Sequence, residues 1–89
     1  AYDKLNDYAE QKRLSGDQKD ILFYLLQIEL FDNNPQPASR KELCSFLEAG
    51  NTRLMSSINA LLGLGLLQEH GKRPIRYSLS ETAHRQFLQ

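Results

Sequence analysis

The sequence predicts a mainly helical α+β domain that closes on a small antiparallel hairpin. Three observations point there. Apolar residues recur at helical spacing through four segments between Tyr2 and Leu62. Asp17, Ser39 and Asn51 stand at the starts of three of those segments, and Gly16, Gly50 and Gly65 lie near the ends of three, where helices begin and stop. From Leu67 to Leu79 the period changes to two on either side of Gly71-Lys72-Arg73-Pro74, which marks two strands joined by a tight turn. With 89 residues the chain makes one domain with one modest core. Its 40% apolar and 25% charged residues match an ordinary globular protein. No run approaches the roughly 18 apolar residues of a membrane span, and no signal-peptide pattern opens the chain. A cytoplasmic protein is therefore expected. The single cysteine, Cys44, cannot form an intramolecular disulfide.

In order, Tyr2 to Leu14 places Tyr2, Leu5, Tyr8 and Ala9 on one side of an amphipathic helix, which Ser15-Gly16 breaks. Asp17 is the expected N-cap of the next helix, Gln18 to Phe31. That helix carries two apolar stripes. Ile21, Tyr24, Leu25 and Ile28 form one; Leu22, Phe23, Leu26 and Leu30 form the other. A domain core covers one stripe, so the second needs either the N-terminal helix or another subunit. A homodimer through Leu22, Leu26, Leu30 and the N-terminal helix is accordingly one expectation. The division that follows is residues 1–16 as a packing or dimerisation helix and 17–89 as the main domain.

Pro35 and Pro37 interrupt helix, and Ala38 leaves room for a short strand pairing. Ser39-Arg40-Lys41-Glu42 is a capping box, opening a short helix that buries Leu43, Phe46 and Leu47. Gly50 is expected as its left-handed C-cap and Asn51 as the cap of the following helix. In that helix Leu54, Ile58, Leu61 and Leu62 share one side. At 100° per residue the other side holds Thr52, Ser56, Asn59, Ala60 and Gly63, with Arg53 at its edge. Gly65 ends the helix. Ile75, Tyr77 and Leu79 then alternate inward, Arg76 and Ser78 outward, and Ser80-Glu81 caps a final helix to Leu88.

Net charge is zero, yet it is unevenly spread. Through Asp32 there are four cations against seven acids; from Arg40 onward, seven cations face four acids. The basic half contains the two short helices and the hairpin.

Two runs carry a family resemblance: Asn51 to Leu67, with Leu61-Leu62-Gly63-Leu64-Gly65-Leu66-Leu67 at its end, and Arg76-Tyr77-Ser78-Leu79-Ser80-Glu81-Thr82-Ala83. Together they resemble the winged helix-turn-helix core of MarR-like and PadR-like bacterial regulators, over about half the chain. The long flanking helices of those dimers are missing, and Ala83 stands where glycine is usual. The resemblance implies sequence-specific binding of double-stranded DNA, in transcriptional regulation, with Thr52 to Leu62 as recognition helix and the hairpin as wing.

The residue types suit that expectation. Asn51, Thr52, Arg53, Ser56 and Asn59 can bond base edges, and Lys72, Arg73 and Arg76 can meet phosphate or a minor groove. Ser39, Arg40 and Lys41 open a helix where two cations oppose the dipole, a cost of roughly 0.3–1 kcal/mol each that a docked phosphate would reverse. The same residues also suit a solvated hairpin and helix face. No nucleophile, base and orienting group stand together, so no enzyme is expected. His70 and His84 lack further ligands at metal spacing, Cys44 reads as a small core residue, and no cofactor motif is present. The competing expectations are a winged helix that docks protein on its acidic N-terminal third, and a DNA-binding domain of a replication or plasmid-maintenance factor.

Overall fold

The computed structural model describes residues 1–89 as five helices and a three-stranded antiparallel sheet. The elements run α1 (Tyr2–Gln11), α2 (Gly16–Phe31), β1 (Ala38–Ser39), α3 (Arg40–Leu47), α4 (Asn51–Gly63), β2 (Leu67–His70), β3 (Arg76–Leu79) and α5 (Glu81–Phe87). No helix is long and apolar enough to cross a membrane.

The central element is α2, whose Ile21, Leu22, Leu25 and Leu26 are all buried. A helix apolar on most sides needs neighbours on most sides, and α2 has them: α1, α3, α4 and β3 pack around it. Leu22 and Leu26, expected at a homodimer interface, are fully buried within one chain. The cover comes from α1, which sends Leu5 and Ala9 inward and also packs on α5. Tyr2 meets Phe23 at 5.0 Å between ring centroids, and Tyr8 meets Phe87 edge-on at 5.4 Å. Of the three α2 leucines expected at that interface, Leu30 alone is exposed.

Three helices end by the same device. Leu14 donates its amide to Ala9, Ala49 to Cys44 and Leu66 to Leu61; within each turn Arg13, Glu48 and Gly65 donate to Glu10, Ser45 and Leu62. This paired return is the Schellman motif. Its left-handed residue is Arg13 (φ 53°), Glu48 (φ 55°) or Gly65 (φ 75°). The cap expected at Gly50 is therefore supplied by Glu48, because the returning bonds close two residues earlier. Gly50 (φ −78°) instead precedes α4 as its N-cap, and Asn51 becomes the first helical residue without a side-chain capping bond.

The start of α2 also differs from expectation. Ser15, not Asp17, is its N-cap, through a reciprocal capping box with Gln18 at 3.2 and 3.1 Å. Asp17 moves into the first turn, with its carboxylate free for another partner. At α3 the expected box is present: Glu42 donates its amide to Ser39 Oγ at 3.1 Å, while Glu42 Oε1 accepts from the Ser39 amide at 3.4 Å. Phe46, expected in the core, is 40% exposed and lies against Tyr24 at 4.7 Å.

The sheet order is β1-β3-β2. Tyr77 and Leu79 of β3 point inward and Arg76 outward. Strand β1 pairs Ala38 with Tyr77 and Ser39 with Arg76, which sets the first turn of α3 beside the hairpin.

Candidate nucleic-acid interface

That pairing builds a groove of about 520 Å³ between the start of α3 and the β2–β3 connection. Ser39, Arg40, Lys41, Lys72, Arg73 and Arg76 line it, with Pro74 and Ile75. Five of the eight lining residues are cations and none is acidic, in a chain of zero net charge. The connection depends on Gly71, at φ 71°, where an added Cβ would lie 3.3 Å from the Pro74 carbonyl oxygen. Both the left-handed backbone and the close approach favour glycine there. The Arg73–Pro74 peptide bond is cis.

The cations are not equally free. Arg40 donates from Nε to the Tyr77 hydroxyl at 3.2 Å. Arg76 Nη1 lies 3.5 Å from Glu42 Oε1, with both side chains about half exposed. Lys41, Lys72 and Arg73 are exposed and form no salt bridge. Glu42 is the anionic hub beside the groove, because it also accepts from the Tyr24 hydroxyl at 3.5 Å. Burial, then the charge of Glu42, pushes the Tyr24 phenol above its ordinary range.

The second part of the surface is α4. Leu54, Ser57, Ile58 and Leu61 are buried, so the opposite stripe runs through Thr52, Ser56, Asn59 and Gly63, all exposed. Asn51 is exposed at the helix start. This stripe carries hydrogen-bonding side chains without charge.

Arg53 departs from its expected role as a free reader. It makes two parallel bonds to Asp17, Nε to Oδ2 at 2.6 Å and Nη2 to Oδ1 at 2.7 Å. The fork matches a carboxylate in two places at once, tying the first turn of α4 to that of α2. Hydrogen bonding and charge from Arg53 hold the Asp17 carboxyl below its ordinary range, and the same contacts raise Arg53.

The structure thus brings Ser39, Arg40, Lys41, Lys72, Arg73 and Arg76 into one groove and sets Thr52, Ser56 and Asn59 along one helix face. Sequence reasoning missed the roles of Asp17 and Glu42 as ionic partners. Glu42 was legible as half of a capping box, but its pairing with Arg76 depends on strand register. No three His, Cys, Asp or Glu side chains converge as metal ligands would. His70 Nε2 is 2.7 Å from Ser78 Oγ, and His84 Nε2 is 3.3 Å from Glu29 Oε1, so each imidazole has a local partner.

No family model and no curated protein matches the sequence. The chain is similar in structure to the ST1889 protein from the thermoacidophilic archaeon Sulfolobus tokodaii, known from a crystal structure. The TM-score is 0.76 at 19% identity, over 94% of this chain and 79% of that one. At this identity the likeness shows a shared fold.

Proposed function

We propose that the chain is a winged helix-turn-helix module that binds double-stranded DNA without catalysing a reaction, with α4 as recognition helix and the β2–β3 hairpin as wing. The groove between α3 and the hairpin carries this reading, because it gathers five cations and no acid in one concave strip. Phosphate contacts fix a protein's register on a duplex, and base-edge contacts supply discrimination. In this assignment Ser39, Arg40, Lys41, Lys72, Arg73 and Arg76 hold backbone phosphates. Thr52, Ser56 and Asn59 reach base edges, and Asn51 supports the approach at the start of α4. Transcriptional regulation is the process such binding would serve; a replication or plasmid-maintenance factor would use the same contacts.

The deciding experiment measures binding to random-sequence duplex DNA as salt is raised. Each neutralised phosphate contributes about 0.9 to the slope of log affinity against log salt. Replacing Lys72 and Arg73 together by Ala should therefore flatten the slope by up to about 1.8. Absence of binding even at low salt would overturn the proposal.

A specific observation favours a second reading, in which the domain docks protein. Phe31 is 72% exposed, with Leu30 and Phe46 each 40% exposed. Sedimentation of the wild type and of Phe31→Ser would test it: a self-associated species lost in the variant supports docking of a second copy.

A further inference from the structure

The exposed stripe of α4 differs from the groove in one chemical respect: it carries no cation of its own, and the one at its flank is held in an ion pair. Thr52, Ser56, Asn59 and Gly63 lie opposite the buried Leu54, Ile58 and Leu61. The sole charged side chain in α4, Arg53, sits at the flank of that stripe. Its Nε and Nη2 are both engaged by Asp17 at 2.6 and 2.7 Å. In the major groove guanine presents O6 and N7, which Arg or Lys reads, whereas adenine presents N7 and an N6 amine, which Asn or Gln matches with one acceptor and one donor. Thymine adds a methyl group that a Thr methyl can contact.

Building on the DNA-binding proposal, we infer that α4 selects A·T base pairs through its major-groove stripe, and that the Asp17–Arg53 pair sets this preference by withholding the guanine reader. Asn59 is the base reader, with Thr52 and Ser56 beside it. Asp17 is a positioning residue that acts through Arg53. The assignment explains why a helix in a basic half presents an uncharged face: the groove supplies charge for affinity, and the stripe supplies discrimination. It also names a direction in which specificity should change when the pair is broken.

The experiment is selection of the intact chain on a randomised duplex library, followed by base-analogue replacement in the selected sites. Selected duplexes should be enriched in A·T pairs, and G·C replacement at a key position should weaken binding roughly five- to a hundredfold. Replacement by inosine·cytosine separates the two grooves, since inosine keeps the major-groove atoms of guanine and lacks its minor-groove amine. Inosine·cytosine should behave like G·C; if it binds as A·T does, minor-groove contacts set the preference and the inference fails. Asn59→Ala should abolish the preference while leaving the salt slope unchanged, because it removes no charge. Asp17→Ala should bring guanine into the selected sites, and Asp17→Ala with Arg53→Ala should remove it again. Wild-type selection of a guanine that Arg53→Ala erases would overturn the assignment. Binding without base-pair preference would sink this inference and leave the DNA-binding proposal standing, whereas no duplex binding at low salt would sink both.

Discussion

Glu42→Gln is expected to strengthen DNA binding and weaken the fold at the same time. Glu42 Oε1 accepts from the Ser39 amide at 3.4 Å and from its hydroxyl at 3.3 Å, and lies 3.5 Å from Arg76 Nη1. Glutamine serves as well as glutamate at this place in a capping box, so the reciprocal bonds survive the change. The charge that holds Arg76 does not. If Arg76 then joins Lys41, Lys72 and Arg73 on phosphate, the salt slope steepens by about 0.9. Carried from a reference near 1 M salt to about 0.15 M, one such contact amounts to roughly a fivefold gain in affinity. Stability moves the other way, because an acid in the first turn of an exposed helix contributes about 0.3–1 kcal/mol through the dipole. The half-exposed pair with Arg76 adds little to that. For a domain of this size the melting midpoint should fall by roughly 1–8 °C. Fluorescence anisotropy of a labelled duplex across a salt series gives slope and affinity, and circular dichroism gives the midpoint. A folded variant with unchanged or weaker binding would refute the claim that Glu42 restrains a phosphate-binding arginine.

The remaining predictions test the frame that holds the site. Arg53 lowers the Asp17 carboxyl from its ordinary 3.8, so the folded state takes up that proton less readily than the unfolded chain. Its contribution is present above the unfolded value and is lost as pH falls through the lowered folded one. Melting midpoints of wild type and Arg53→Gln, separated near neutrality, should converge in acid; a constant separation would contradict the pairing. Gly65→Ala should cost about 1–2 kcal/mol in urea unfolding, because φ 75° suits glycine. Glu48→Gly, at the equivalent place in α3, should gain a smaller amount, part of which the freer unfolded chain cancels. Leu5→Ala should cost about 2–5 kcal/mol, with the chain still unfolding in one transition; separate early loss of α1 would show that it is an appendage.

The sequence already contained most of the scaffold, since local chemistry dictates it. The Ser39–Glu42 box, the end of α4 at Gly65 and the inward alternation of Tyr77 and Leu79 all follow from a few neighbouring residues. Misplaced features were decided by partners distant in sequence or by competition between adjacent signals. Ser15 outcompeted Asp17 as a cap because Gln18 could return a bond to its amide. Glu48 took the left-handed position because two returning hydrogen bonds closed there before Gly50 was reached. The two stripes of α2 were visible, but sequence spacing alone left their cover undecided between α1 and a second subunit. Burial of Leu22 and Leu26 by the chain's own helices decides it. The groove was less legible still, because it depends on Ser39 pairing with Arg76 across the sheet.

Counting cations therefore overstated the charge left unpaired in the basic half. Four of the arginines in the basic half are engaged within the fold: Arg53 by Asp17, Arg40 by Tyr77, Arg76 by Glu42 and Arg85 by Glu81. These engagements differ in kind. The Tyr77 hydroxyl takes one donor from Arg40 and leaves its charge facing the groove, whereas Asp17 and Glu42 each oppose a full charge. Lys41, Lys72 and Arg73 carry no such counter-charge. A wild-type salt slope near −2.7 would thus indicate these three contacts alone, and a slope near −4.5 would require Arg40 and Arg76 to join them. Where Arg76 joins by leaving Glu42, the steeper slope also marks the opening of that ion pair, with Glu42 still accepting from Ser39 and Tyr24. The two limits turn one salt series into a measurement of which ion pair opens when the duplex docks.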